Sequence, residues 1–203
     1  MAGDAMNEIA RLAAALLIAC LPIACSSPAT PAASPPLEGA RIGGPFVLTD
    51  QDGRAVTERS LLGQYSIMYF GYTFCPDVCP VDMQNIGSGL RDLEKSDPAL
   101  AAKVVPVFVS VDPARDRPKV LKQFVGNFHP RMIGLTGSPQ AIAAITKEYA
   151  VYYKKGEVSP DGGYMMDHSR VAYLMSPEGK PLALLPSEGT PQAIATELKR
   201  WVH

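Results

Sequence analysis

The sequence predicts an α/β domain: a central mixed sheet with helices on both faces and a hairpin extension at its N-terminal edge. Three observations carry this. Tyr65–Thr73 and Val104–Asp112 are apolar almost without interruption over strand length, as strands buried on both faces are. Stretches with apolar residues at helical spacing alternate with these runs along the chain. Two turn signals, Asp52-Gly53 and Pro177-Glu178-Gly179-Lys180, sit between short segments of strand composition.

Taken in order, Pro45–Thr57 reads as the N-terminal hairpin, reversing at Asp52-Gly53. Tyr65–Thr73 is the first buried strand, and a helix from about Pro80 to Lys95 follows, with Val81, Ile86, Leu90 and Leu93 apolar. Val104–Asp112 is the second buried strand. The helix over 118–128 opens on Pro118, whose missing N–H is tolerated at a first helical position. Met132–Gly137 is a third strand, and Ser138-Pro139 starts a helix reaching about Tyr149. After a glycine-rich loop, Ser169–Pro177 and Lys180–Pro186 pair as a second hairpin. A last helix runs from about Pro191 to Val202, with Thr190 as its cap.

Composition narrows the function. Among 203 residues, 19 are Lys or Arg and 20 are Asp or Glu, so the net charge is −1. Without a basic surplus the chain is not built to neutralise phosphates, which argues against nucleic acid as a partner. A hydrophobic content of 47% excludes a wholly disordered chain, and only 4 cysteines exclude a disulfide-dense scaffold.

The N-terminus reads as an address. Leu12–Cys25 is an apolar run after Arg11, short for a membrane span but suited to the core of a signal peptide. The basic region before it is weak, since Asp4 and Glu8 accompany Arg11, and translation starting at Met6 would shed the first of these acids. A Pro/Ser/Ala tract that cannot pack a core follows Cys25. The reading is a bacterial lipoprotein leader over 1–25, a tether over 26–40 and a folded domain over 41–203. Cys25 is the expected lipid attachment site, with Cys20 after Leu17-Ile18-Ala19 as the alternative; an uncleaved anchor or plain secretory signal is the other reading. Export puts the domain on the periplasmic side of a bacterial membrane, lipid- or signal-anchored, where thiols tend to oxidise.

The chemistry gathers on two cysteines. The first central strand leaves through Phe74-Cys75-Pro76-Asp77-Val78-Cys79-Pro80, and Cys75 and Cys79 lie outside the leader. Pro76 and Pro80 bias the cysteines before them away from helical backbone. Cys79 therefore belongs near the start of the next helix, where N–H groups and the helix dipole favour thiolate. The pair can close as a disulfide or clamp one ion. Two thiolates leave a metal site incomplete, and the chain has three histidines. His203 is terminal and expected to fray. His129 precedes Pro130 at a helix end, where a solvated cap is expected. His168 immediately precedes the apolar strand of the second hairpin, and strand ends in α/β sheets gather where ligands bind. Two sulfurs and one imidazole select copper or zinc. Structural zinc takes four protein ligands, and no fourth of the usual kind stands out.

Three segments in register, Tyr69–Pro80, Ser110–Pro118 and Asp167–Pro177, closely resemble the Sco (SenC) family, over roughly residues 40–202. The resemblance implies a thioredoxin-like fold and copper handling: family members are membrane-anchored in the periplasm or mitochondria and help assemble the dinuclear copper centre of cytochrome c oxidase. Carried onto this chain, it implies Cys75, Cys79 and His168 as ligands of Cu(I), and also of Cu(II). The implied partners are the copper-binding oxidase subunit, a periplasmic copper donor or thiol reductant, and the membrane through the N-terminal anchor. The family's commoner transmembrane anchor is replaced here by a lipoprotein-like leader.

Two functions stand side by side. One is a metallochaperone. The other is a thiol–disulfide oxidoreductase in which Cys75 and Cys79 are the redox pair that reduces the oxidase's copper-ligand cysteines. The three-residue gap between the cysteines, and a histidine that disulfide exchange does not need, favour the first. A peroxiredoxin-like peroxide reductase is weaker still. Met165 and Met166 are soft sulfur donors beside His168 but read first as packing. Met83 reads as core. Asp77 is either an aid to a bound cation or a solvated loop acid. Asp112, Arg115 and Asp116 are expected to brace the loop beside the site by ion pairing.

Overall fold

The computed structural model describes residues 34–203. The expected leader and the tether up to residue 33 lie outside them. The elements are β1 (Val47–Asp50), β2 (Ala55–Thr57), β3 (Tyr65–Gly71), α1 (Val78–Ser96), α2 (Pro98–Ala101), β4 (Val104–Ser110), α3 (Pro118–Gly126), β5 (Ile133–Thr136), α4 (Pro139–Glu148), β6 (Tyr153–Lys155), β7 (Met166–His168), β8 (Ala172–Met175), β9 (Pro181–Leu184) and α5 (Pro191–Trp201).

Seven of the described strands form one mixed sheet in the order β2-β1-β5-β4-β3-β8-β9. The apolar runs take its centre. β3 and β4 pair in parallel from Tyr65 opposite Val104 to Gly71 opposite Ser110. β4 is buried along its whole length, as β-branched residues in a covered strand should be. β5 runs parallel to β4, while β8 runs antiparallel to β3. Both crossovers out of β3 and β4 therefore begin at one edge of the sheet, and that edge carries the cysteine loop.

Successive residues of β3 serve opposite faces. Tyr69 bonds to Asp82 of α1, and its register partner Phe108 packs against Phe124 of α3. Phe70 points the other way and meets Tyr149 at the end of α4, with ring centroids 5.2 Å apart. Helices thus cover both faces, as expected. α1 and α5 pack so closely at Gly89 that a Cβ there would lie 2.7 Å from the Pro191 carbonyl oxygen and from Ile194 Cβ.

Both hairpins form. Asp50 shapes the first by accepting from the backbone N–H of Asp52 and of Arg54 at 2.8 Å, and Gly53 supplies the φ of +81° that the reversal needs. Ordered packing starts within the stretch read as tether: Leu37 packs against the core and its N–H donates to the Leu182 carbonyl. α1 begins at Val78 rather than Pro80, so Cys79 is its second residue. The glycine-rich loop is flanked by a small hairpin, β6 with β7. Its three-residue strands, Tyr-Lys-Lys and Met-Asp-His, are too short and polar for periodicity to reveal. His168 closes β7, paired with Tyr153, instead of lying in a loop.

Candidate metal centre

The cysteine loop is pinned from below. Asp116, fully buried after β4, accepts from the Thr73 N–H at 2.9 Å, from the Thr73 hydroxyl at 2.6 Å and from the Ser110 hydroxyl at 2.6 Å. Tyr72 is buried beneath the loop, while Phe74 stands out into solvent. Cys75 then turns back so that its Sγ accepts from the Cys79 N–H, with 3.5 Å between the heavy atoms. The two cysteines are free rather than bridged.

His168 approaches from the other side of the chain. Its Nε2 lies 3.4 Å from Cys79 Sγ. Its Nδ1 lies 3.0 Å from the Ser169 carbonyl oxygen. A carbonyl only accepts, so Nδ1 carries the proton and Nε2 turns its lone pair on the sulfur. A backbone acceptor that fixes the tautomer is how metal-binding imidazoles are commonly held. The Tyr72 ring meets the imidazole edge-on at 5.9 Å and limits its swing. With metal–sulfur and metal–nitrogen bonds of roughly 2.3 and 2.05 Å, two donors on one tetrahedral ion lie about 3.5 Å apart. The spacing observed therefore suits a shared ion as well as an S–H···N contact.

Burial decides the proton affinities. Cys79 is wholly buried, and its thiol is pushed up to about 12, chiefly by loss of solvent; the Tyr72 backbone opposes this and the Cys75 sulfur adds to it. The expected thiolate at the helix start is thus corrected: desolvation outweighs the dipole. Burial also lowers His168, only partly offset by the Ser169 carbonyl, which keeps the imidazole neutral and Nε2 free.

Among the described residues, no three His, Cys, Asp or Glu side chains are already drawn together as a metal cage. The Cys79–His168 pair is made; Cys75 is adjacent but engaged with the Cys79 N–H. Of the other residues singled out from the sequence, Met83 is core, Met166 is buried and Met165 is exposed, touching the Tyr72 hydroxyl at 3.7 Å. Asp77 is an exposed N-cap position whose side chain caps nothing. Asp112 and Arg115 pair as expected and also reach the histidine hairpin: Tyr164 donates its hydroxyl to Asp112, and Arg115 donates to the Tyr164 carbonyl. His129 is not the solvated cap expected from its place before Pro130. It is buried, with Nδ1 accepting from the Arg131 N–H and Nε2 3.3 Å from Glu94, because the end of α3 folds back under α1.

The sequence reading missed Asp82 and Arg170. Asp82 is wholly buried on α1, three residues past Cys79, and Arg170 forks onto it two residues past His168. The legible signal was a carboxylate on the apolar side of a helix.

A sheet with parallel centre and antiparallel flank, a dithiol loop at the helix start and a histidine strand folded over it define a thioredoxin-like protein with a thiol–imidazole site. Residues 34–203 match the SCO1/SenC family model, and the chain belongs to that family. It is 47% identical over 139 residues to "Protein SCO1 homolog 1, mitochondrial" of Arabidopsis thaliana, covering 68% of this chain and 40% of that protein. Against the solved structure of Bradyrhizobium japonicum ScoI with copper bound, the TM-score is 0.72 at 44% identity, over 79% of this chain and 99% of that one. A more distant structure, of BsSco, described as a member of the Sco family of cytochrome c oxidase assembly proteins, gives 0.60 at 28% identity, over 78% of this chain and 92% of that one. The chain spans less than half the length of the first curated relatives it matches.

Proposed function

We propose that this protein is a copper metallochaperone: it binds copper through Cys75, Cys79 and His168 and delivers it during assembly of the dinuclear copper centre of cytochrome c oxidase. The observation that carries the reading is the 3.4 Å approach of His168 Nε2 to Cys79 Sγ, made by residues 89 positions apart in the chain. Similarity to copper-bound ScoI supports the choice of metal. Copper is cargo here. Loading requires Cys75 to close on the waiting pair, its sulfur being free to keep the Cys79 N–H bond as it does so, and an ion held by three donors leaves room for an incoming ligand of the recipient. Soft sulfur with one imidazole suits Cu(I), and the same donors accept Cu(II).

The oxidoreductase reading is the weaker one. Disulfide exchange needs a thiolate with access to its target, and Cys79 is sealed from solvent with its proton held up to about 12.

The proposal extends to the whole chain: export through the leader, lipid attachment at Cys25, and a tether that lets the domain reach the oxidase's copper-binding subunit and a periplasmic copper donor or thiol reductant. Among the described residues no helix is long and apolar enough to cross a membrane. The deciding experiment is anaerobic Cu(I) titration of the reduced protein with X-ray absorption at the copper edge. One ion per chain with two sulfur neighbours and one nitrogen neighbour is expected. Reductase turnover that needs both cysteines, with no copper bound, would replace this reading by the other.

A further inference from the structure

The ion pair between Asp82 and Arg170 has a geometry that stability alone does not explain. Asp82 is fully buried, whereas Arg170 keeps 36% of its side chain in solvent. Arg170 Nε donates to Asp82 Oδ2 at 2.8 Å, while Nη2 donates to Oδ1 at 2.5 Å. The Tyr69 hydroxyl donates to the same Oδ2 at 2.8 Å, and a Cβ on Gly71 would lie 2.9 Å from both the Tyr69 ring and Cys79 Sγ, so ring and sulfur flank the same glycine. Arg170, Asp82 and Tyr69 therefore form one continuous polar chain under the site.

Cys79 and Asp82 are three apart on α1, so they share a face with an axial rise of about 4.5 Å. His168 closes β7, and Arg170 lies two residues on, in the link to β8. The two segments thus meet at two rungs, Cys79 with His168 and Asp82 with Arg170. Among the described residues, these are the polar side-chain bonds that run directly between the 166–171 segment and α1. The first rung is the pair that must open and close around cargo; the second remains.

We infer that Asp82 and Arg170 are positioning residues: their forked ion pair sets the register of the His168 strand against α1, and so holds His168 Nε2 at bonding distance from Cys79 before metal arrives. A buried ion pair adds little net stability over a well-packed apolar substitute, and fixing one register among several is its better-supported use. Only a planar fork gives both bonds at once, so lysine is not an equivalent. The inference rests on the proposal that Cys79 and His168 are copper ligands.

The test compares wild type with Arg170→Lys, Arg170→Gln and the double variant Asp82→Asn/Arg170→Gln, which leaves no buried charge unpaired. Each is titrated anaerobically with Cu(I) against a chromophoric chelator, and the metal-free proteins are compared by nitrogen NMR of the imidazole. The expected loss of affinity is about 10- to 100-fold for Arg170→Gln and for the double variant, and less for Arg170→Lys. The nitrogen neighbour weakens while both sulfurs stay. In the metal-free variants the His168 signals depart from the single Nδ1–H tautomer. A role in folding alone would lower the melting temperature and leave affinity and imidazole signals of the folded fraction as in wild type; that result overturns the inference. If Arg170→Gln does not fold, Arg170→Lys and the double variant decide on the same criteria. Wild type that binds copper through two sulfurs and one nitrogen, with variants that match it, defeats this inference alone. Wild type that binds no copper defeats the proposed function and the inference together.

Discussion

Cys79 Sγ and His168 Nε2 lie 3.4 Å apart although 89 residues separate them in the chain. The contact is made with the lone pair of a neutral imidazole facing a buried thiol, so the two side chains proposed as donors already meet in the metal-free fold. Removing the imidazole should therefore strip metal affinity and spare the thiols. His168→Ala is expected to weaken Cu(I) binding by orders of magnitude in a competition titration while both cysteines remain reactive towards alkylation in denaturant and mildly reactive without it. Copper binding by His168→Ala equal to that of wild type would defeat the three-donor reading.

Binding should also depend on pH in a defined sense. On the proposed ligand set, copper must displace the Cys79 proton, which is held up to about 12. Below that value each unit of fall in pH lowers the thiolate fraction by about tenfold, so apparent affinity should rise with pH through the neutral range. His168, lowered by burial, should add its own fall in affinity only on the acid side of the ordinary histidine value. A titration series from pH 6 to 9 measures the slope; a flat profile would mean that Cys79 is already ionised.

The same burial predicts how the metal-free fold responds to base. The folded protein holds the Cys79 proton more tightly than the unfolded chain, whose thiol titrates near 8.5. The stability this contributes is complete below about 8.5 and is lost as pH climbs towards about 12. Urea unfolding at pH 8 and pH 10 should show the difference, and Cys79→Ala should remove that part of the decline.

Gly71, the last residue of β3, sits against the site. A Cβ there would lie 2.9 Å from Cys79 Sγ and 3.1 Å from the Phe108 ring. Gly71→Ala is expected to destabilise the protein by about 1–3 kcal/mol through overpacking, and to displace the Cys79 sulfur. Thermal unfolding checks the first effect and the sulfur-to-copper absorption of the Cu(II) form checks the second.

Asp116 anchors the cysteine loop from the opposite side. Asp116→Ala leaves the Thr73 N–H and the Thr73 and Ser110 hydroxyls without their acceptor, at about 1–3 kcal/mol for each donor that stays buried and unpaired. Hydrogen exchange of the Tyr72–Cys75 amides should accelerate more than that of α5, which is remote from the loop.

Much of this was legible in the chain. The apolar runs of β3 and β4, Pro118, Pro139 and Pro191 at helix starts, and the Asp52-Gly53 turn act through neighbours in sequence, and each produced its element. The donor types were legible too: two sulfurs four residues apart and a histidine just before a strand are chemical types, and type alone points to a soft metal. The fold hid what depends on distant neighbours. The dipole argument for a Cys79 thiolate was sound locally and failed because β3, β4 and the histidine hairpin bury the sulfur. His129 left the solvent because the end of α3 folds back under α1, beside Glu94. Asp82 gave no local sign of its role, because its partner Arg170 lies 88 residues away. Sequence fixes which groups can bond and which backbone shapes are open to them; only the closed sheet, by placing the ends of β3 and β7 over one another and expelling water between them, decides which groups meet and which protons they keep.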